Sequence, residues 1–442
     1  MKDMLKKIEL KDLADSRSRA RDPQAEEAAA KIIADVTSRG EAAVREWAEK
    51  LGDLAPGAKL VLGEEELSRA LDSLDPAKRK LLESARDRIT AFAAAQRGAL
   101  RDIEIEVPGG KAGHRFIPVS RAACCAPGGR FPLPSSALMT ACAAKAAGVK
   151  SIWCLGPKPT TETLAAAALA GAEGFLATGG AQGVTALALG IGVPPCDVIV
   201  GPGGRYTAAA KRLLFGVIGT EAPAGPSELL IIASPDADPE FIAADLLGQA
   251  EHDIVAVPSV VILDFLPDPN VENKANVSIS SNVSNFSNDI QLAIARRLSD
   301  LPEPNRSVAA RALDNGWLLI AKSEEEAIAA AERFAPEHLE LLVPDPRYWS
   351  ERISTAGAVF LGSGSAEVFG DYGAGPNHCL PTGGASRFAA GLSVLSFLKA
   401  RTWLEMDDPS ALSQEAAAFA RLEGLEAHAR SAELRTKDRS AK

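Results

Sequence analysis

The chain has 442 residues, of which 46% are hydrophobic and 24% charged. That is the balance of a soluble globular protein too long for one ordinary core, so two or three domains are expected. A net charge of −10, with no Lys/Arg stripe interleaved with aromatics, excludes a nucleic-acid footprint, and no apolar run approaches a membrane span.

The amino terminus, MKDMLKKIELKDLADSRSRARD, mixes acids and bases and lacks the apolar core of a secretory signal. Its acids also suit a transit peptide poorly. A cytoplasmic protein is expected, or a plastid one in a eukaryote. Residues 24–104 are rich in Ala, Arg and Glu at helical spacing, as in EEAAAKIIADVTSRGEAAVREWAEKL, and glycine follows as a stop signal. From about residue 120 short β-type runs alternate with helices. Ser135-Ser136 can cap the helix ALMTACAAKAAG, residues 151–155 read as a strand, and Thr160-Thr161-Glu162 opens another helix. The strand 174–177, the helix AQGVTALALG, the strand CDVIVG and the helix RYTAAAKRLLFG follow.

A second series begins with the strand SELLIIAS, the helix DPEFIAADLLGQAEHD and the strand VPSVVILDF. Later come WLLIAKS, EEEAIAAAERF and AVFLG, and the tail PSALSQEAAAFARLEGLEAHARSAELR is amphipathic and helical. Short connections between strands and helices predict right-handed βαβ units and parallel sheets. The expected fold is α/β, with two doubly wound Rossmann-like domains. Residues 24–124 with 227–390 form the main one and 125–226 the second. A helical arm over 1–23 and a helical tail over 391–442 flank them.

Residues 267–290, PDPNVENKANVSISSNVSNFSNDI, depart from these Ala-rich surroundings, being rich in Asn and Ser with a single Ala. Three N-x-S sequons start at Asn276, Asn282 and Asn285, and without a secretory signal they are incidental. The composition predicts a disordered surface insertion. The six cysteines, Cys124, Cys125, Cys142, Cys154, Cys196 and Cys379, include no C-x-x-C pair. They read as buried small hydrophobes, not as a disulfide framework or a zinc knuckle.

There are five histidines, and four stand among polar residues: His252 in QAEHD, His338 in APEHLE, His378 in GPNH and His428 in EGLEAH. Neutral imidazole is both a metal ligand and a proton acceptor, so a metal-and-base site is expected. Glu337-His338 places an acid beside an imidazole, just after a helix-like run and a proline. In the helix 238–253, Asp245, Gln249 and His252 fall at i, i+4 and i+7, opposite Phe241, Ile242, Leu246 and Leu247. Gln249 and His252 could point at one cation, or this could be a solvated face; glutamine is a weak, neutral ligand. The glycine-punctuated loop 370–378 carries Asp371 and His378, either as a functional loop or as a plain turn cluster. Gly179-Gly180-Ala181-Gln182-Gly183 and Gly201-Pro202-Gly203-Gly204 each lie between a strand and a helix, where backbone N–H groups can meet a phosphate. Neither is G-x-G-x-x-G.

Taken in order, APGGRFPLPSSALM, GGAQG, IVGPGG, AGPSELLIIA, ADLLGQAEHD, FAPEHLEL, GDYGAGPNHCLPTGG and EGLEAHAR make the chain resemble histidinol dehydrogenase from about residue 24 to about residue 435. The resemblance implies a zinc- and NAD-dependent enzyme of histidine biosynthesis. It would oxidise L-histidinol to histidinaldehyde and then to L-histidine, with two NAD reduced. It implies one Zn2+ per subunit on Gln249, His252, Asp371 and His428, and a catalytic pair in Glu337 and His338. His338 would take the hydroxyl proton and Glu337 would activate water for the second oxidation. Ser227 and Glu423 match substrate contacts, alongside Gln249, His252, His338, Asp371 and His428. Cys125, Gln182 and Gly204 match cofactor positions. The resemblance also implies a homodimer in which the carboxy-terminal Glu423 and His428 complete the partner's site.

Two cofactor positions depart from the family: Cys125 stands where it has Tyr, and Gly204 where it has Asn. Two alternatives follow from the resemblance: a divergent paralogue oxidising another small polar primary alcohol, and a non-catalytic zinc-binding paralogue.

Overall fold

Along the strand Arg121–Cys125, Ala122 and Cys124 point to one face of a sheet and Ala123 and Cys125 to the other, and both faces are buried. A strand covered on both sides carries small apolar residues throughout, and two sheets of this kind make up the protein. The computed structural model describes residues 3–15, 22–128, 131–222, 225–265 and 280–436.

The first sheet runs in the order β2-β7-β6-β5-β8-β9. Its strands are β2 (Val61–Gly63), β5 (Arg121–Cys125), β6 (Ser151–Leu155), β7 (Gly174–Leu176), β8 (Val198–Val200) and β9 (Gly219–Thr220). All pairs are parallel except β2 with β7. One face packs on α3 (Glu64–Asp72), α4 (Pro76–Gly98), α5 (Pro134–Ala147) and α6 (Thr161–Leu169). The other packs on α1 (Pro23–Arg39), α2 (Glu41–Lys50), α7 (Gly180–Leu189) and α8 (Arg205–Leu213).

The second sheet runs in the order β1-β12-β11-β10-β13-β14, parallel throughout. It consists of β1 (Lys6–Ile8), β10 (Glu228–Ala233), β11 (Val257–Leu263), β12 (Trp317–Ala321), β13 (His338–Leu342) and β14 (Ala358–Leu361). Residues of α9 (Pro239–Ala250), α10 (Ser280–Asp300) and α11 (Asn305–Leu313) pack on one face, and those of α12 (Glu324–Phe334) and α13 (Pro346–Arg352) on the other. In both sheets the order of the consecutive parallel strands reverses, at β5/β8 and at β10/β13, the switch points of a doubly wound sheet. The α/β, doubly wound expectation therefore holds twice. Among the described residues no helix is long and apolar enough to cross a membrane.

Four expectations need correction. Residues 23–125 belong with 151–220 and not with 227–390, because the apolar sides of α1 to α4 pack on the first sheet. The amino-terminal arm is not helical where described, apart from one 3-10 turn at Leu10–Asp12. Lys6–Ile8 pairs with β12, and the Gln291 carboxamide clamps the chain before it, accepting from Leu5 N at 3.0 Å and donating to Leu5 O at 3.1 Å. The carboxy-terminal tail is not all helix. Its strand β15 (Leu398–Met406) pairs antiparallel with β4 (Gly110–Pro118), which pairs with β3 (Ile103–Val107). Two helices follow, α15 (Ser410–Leu422) and α16 (Glu426–Glu433), tied by Ser413 Oγ donating to Ala432 O at 2.8 Å. Last, the Asn/Ser-rich segment is not disordered over 280–290. It opens α10 and buries Val283, Phe286 and Ile290 in the second sheet's core. Residues 267–279 of that expectation lie outside the described residues.

Candidate active site

The site lies at the amino-terminal edge of β10 and β13, at the second sheet's switch point. Register pairs Leu229 with His338, so Glu228, Glu337 and His338 arrive side by side. α12 ends at Ala335, whose φ of 49° is left-handed, and Pro336 forbids another helical turn. Ser386 Oγ donates to Ala335 O at 3.0 Å and so pins this turn. Two residues later the chain enters β13.

His338 is 4% exposed. Its Nδ1 lies 3.1 Å from the Glu228 carbonyl oxygen, which assigns the proton to Nδ1 and leaves Nε2 as an acceptor. Nε2 is buried and, among the described residues, has no hydrogen-bond partner. Burial pushes the imidazole pKa down to about 3, so the ring is neutral. Glu337 is also buried. Its Oε2 accepts from Glu228 N at 3.0 Å and lies 3.7 Å from His338 Nδ1. Burial raises its pKa well above the usual carboxylate range, and Glu228 and Asp371 add to the rise.

A second group of side chains sits beside this pair. α9 begins with Asp238 capping Glu240 N and Pro239 in its first turn. It runs back along the sheet and brings buried Gln249, then His252 just past its end, to the same edge. The short helix α14 (Glu367–Tyr372) places Glu367 and Asp371 at i and i+4 on one face. Its start is fixed by Glu367 N donating to Glu340 Oε1 at 2.8 Å. One ligand atom each from His252, Glu367 and Asp371 lies within 4.8 Å of the others. His252 Nε2 is 3.9 Å from Asp371 Oδ2, and Glu367 Oε1 is 3.7 Å from His338 Nδ1. The Gln249 carboxamide faces Glu367; with its nitrogen turned that way it donates to Oε2 at 2.9 Å.

The electrostatics favour a cation here. Burial pushes Asp371 up to about 7. It also raises Glu367 well above the usual carboxylate range, and the charges that add to that rise are all acids: Asp371, Glu340, Glu337 and Asp245. A divalent ion would relieve that repulsion, and an imidazole with carboxylate oxygens is a donor set that zinc accepts.

The remaining expected residues fall into three sets. Ser227 directly precedes β10, and its carbonyl accepts from Val257 N at 2.9 Å. Asp245 lies a turn before Gln249 but faces Glu340. His378 sits 3.3 Å from Ser136 Oγ, outside the ligand group. Glu423 and His428 are exposed beside α15 and on α16, also outside that group. The three positions expected to meet a cofactor lie in the first sheet and the helices packed on it. Cys125 is buried at the end of β5, its thiol pushed up to about 11 by burial. Gln182 is buried in α7. Gly204 caps α8, with nothing within 4 Å of where a Cβ would stand. Sequence reasoning missed Glu228, Glu340 and Glu367. For Glu367, its i, i+4 spacing to Asp371 was the available signal.

The sequence profile of the histidinol dehydrogenase family matches residues 15–436. A histidinol dehydrogenase from Cupriavidus pinatubonensis is 40% identical over 428 residues, covering 94% of this chain and 92% of that one. A sulfopropanediol 3-dehydrogenase from Ruegeria pomeroyi is 37% identical over 430 residues, covering 95% and 94%. The crystal structure of histidinol dehydrogenase from Elizabethkingia anophelis superposes with a TM-score of 0.85 at 28% identity, covering 99% of each chain.

Proposed function

This chain belongs to the histidinol dehydrogenase family, and from that premise we propose that it oxidises L-histidinol through histidinaldehyde to L-histidine, with two NAD reduced. The observation that carries the reading is His338 Nε2: a buried, neutral, unpartnered acceptor beside Glu337 and the His252, Glu367 and Asp371 group.

Gln249, His252 and Asp371 would hold Zn2+, with Glu367 beside them, and His428 from a second copy would join them. Bound Zn2+ supplies Lewis acidity toward the substrate oxygen, and bound NAD supplies the hydride acceptor. The protein's own residues manage protons and position. The Glu228 carbonyl holds His338 in the tautomer that leaves Nε2 free, so Nε2 takes the hydroxyl proton in the first oxidation, returns it to the carbonyl oxygen as water adds, and takes a hydroxyl proton again in the second. Glu337, held by the Glu228 N–H, takes a proton from the water that adds to the aldehyde. Its raised pKa makes it a stronger base than an exposed carboxylate. Ser227 and Glu423 would contact the substrate; Cys125, Gln182 and Gly204 lie where the dinucleotide would.

The enzyme would act as a homodimer. Glu423 and His428 lie outside their own chain's ligand group, on a helical pair that exposes Phe419 by 60% and Leu422 by 81%. Apolar side chains so displayed suit a second subunit.

A second reading is supported by two observations, the sulfopropanediol 3-dehydrogenase relative and the Cys125 and Gly204 departures. In it the same chemistry acts on another small polar alcohol. The deciding experiment is NADH formation by the zinc-loaded protein with L-histidinol against sulfopropanediol and a panel of primary alcohols. Turnover of histidinol well above the others is expected. Preference for another alcohol would replace the first reading with the second.

A further inference from the structure

Asp53 belongs to none of the groups above, yet its carboxylate is the hub of the first turn of α7. Oδ2 accepts from Thr178 Oγ1 at 2.8 Å, from Gly179 N at 2.9 Å and from Gln182 Nε2 at 3.0 Å. Gln182 Nε2 also donates to Thr178 Oγ1 at 3.0 Å. The single Thr178 hydroxyl proton goes to Asp53, so both hydrogens of the Gln182 amide are committed, one to each neighbour. That fixes the carboxamide with its nitrogen toward Asp53. Its oxygen, Oε1, is buried and has no partner among the described residues. Gly180 makes room for this oxygen: its φ is +54°, and a Cβ there would stand 2.9 Å from Oε1. Asp53 itself is held, by its own N donating to Ala48 O at 2.8 Å and its carbonyl accepting from Lys158 N at 3.0 Å.

Two consequences follow. A helix start attracts anions, but here a carboxylate already stands at it, and a second anion is repelled. α8 differs, because it begins at Gly204 with no side-chain cap. The second consequence is that a buried carbonyl oxygen without a donor is costly, so a ligand at this end must bring an O–H or N–H. A dinucleotide's phosphates offer acceptors only; its ribose hydroxyls offer donors.

We propose that Asp53 is a positioning residue that sets cofactor specificity: it turns the Gln182 carbonyl toward a ribose hydroxyl and denies the start of α7 to phosphate, so that NAD is selected over its 2′-phosphorylated form. This rests on Gln182 being a cofactor position.

The test is fluorescence titration of NADH and NADPH into zinc-loaded protein, wild type against Asp53→Ala and Gln182→Leu. Wild type is expected to bind NADH on the order of tenfold or more tighter than NADPH. Asp53→Ala removes the shared acceptor, which an Asn oxygen could replace, and lets the carboxamide turn over; it should lose on the order of tenfold in NADH affinity and narrow the NADH-to-NADPH ratio, raising KM for NAD while kcat holds. A purely structural role would lower Tm and leave that ratio alone. Unchanged NADH affinity and ratio in folded Asp53→Ala overturns the proposal. Should Asp53→Ala fail to fold, Thr178→Val frees the same carboxamide, and unaltered NADH binding there counts equally against it. Gln182→Leu separates the two readings: if it binds NADH as wild type does, Gln182 is not a cofactor position at all.

Discussion

Glu228 holds both members of the acid–imidazole pair through one residue's backbone: its carbonyl faces His338 Nδ1 at 3.1 Å, and its N–H donates to Glu337 at 3.0 Å. The strand pairing of β10 with β13 therefore sets the tautomer of one group and the orientation of the other. No side chain has to be recruited for either task.

His338→Asn should abolish turnover, by on the order of 10²–10⁴-fold, while zinc stays bound, because His338 is assigned as base and not as ligand. Metal content and NADH formation measured on one preparation decide this. Zinc lost in parallel with activity would make His338 a ligand.

The same residue carries a pH signature. A free histidine takes a proton near ~6.5, whereas buried His338 does so only near about 3. The folded-state pKa is depressed, so the unfolded chain binds the extra proton between those values, and stability is lost as pH falls below about 6.5. The slope is about 1.4 kcal/mol per pH unit from this group. Melting from pH 7 down to pH 4 should therefore destabilise wild type more than His338→Asn. Equal losses would show that the imidazole is not held neutral.

Metal affinity should rise with pH through about 7, because Asp371 must lose its proton to bind. In the metal-free protein Asp371 has a raised folded-state pKa. Its contribution to stability is full below the ordinary carboxylate value and is lost as pH rises through about 7. Added zinc should then raise Tm more at pH 8 than at pH 6. Competition titration with a chelator and melting curves at both values check it; a gain independent of pH would remove Asp371 from the ligand set.

Subunit exchange tests the shared site. Mixing His338→Asn with His428→Asn gives dimers in which one site collects both defects and the other none. Random exchange makes about half the dimers mixed, so roughly a quarter of all sites should recover. No recovery after proven exchange would mean that His428 serves its own chain or binds no metal.

Phe286→Ala should cost about 3–5 kcal/mol, because this ring is 5% exposed in the core beneath the second sheet. Denaturant unfolding measures it. A cost below ~0.5 kcal/mol would restore the disordered reading of that segment.

Phe286 also shows where composition misleads. Val283, Phe286 and Ile290 recur at i, i+3 and i+7, a helical apolar stripe, but the surrounding Asn and Ser dilute it in any average. Strand–helix alternation from about residue 120 was legible because both sheets are covered on both faces and their strands are short apolar runs. The partition of α1 to α4 was not legible, since an amphipathic helix advertises an apolar side without naming the sheet it will meet. β1 and β15 escaped notice because Lys6–Ile8 and Leu398–Met406 are charged and largely exposed, taking their strand character from partners far away in sequence. In α9, periodicity aligned Asp245 with Gln249 and His252, yet Asp245 turns to Glu340. Glu228 and Glu340 went unremarked because such an acid becomes informative only once it is known to be buried, whereas Glu367 could have been read from its i, i+4 spacing to Asp371.

The pairing of Lys6–Ile8 with Trp317–Leu319 also sets an order of assembly. Every strand of the first sheet falls within residues 61–220, so that sheet can close while synthesis continues. The opening strand, made before all of them, must wait beside the nascent chain until Trp317 has emerged. Gln291, arriving shortly before, is positioned to catch Leu5 and hold the edge for its partner. This long-range closure is the slowest kind of contact to form, which makes Lys6–Ile8 among the last segments to find its place.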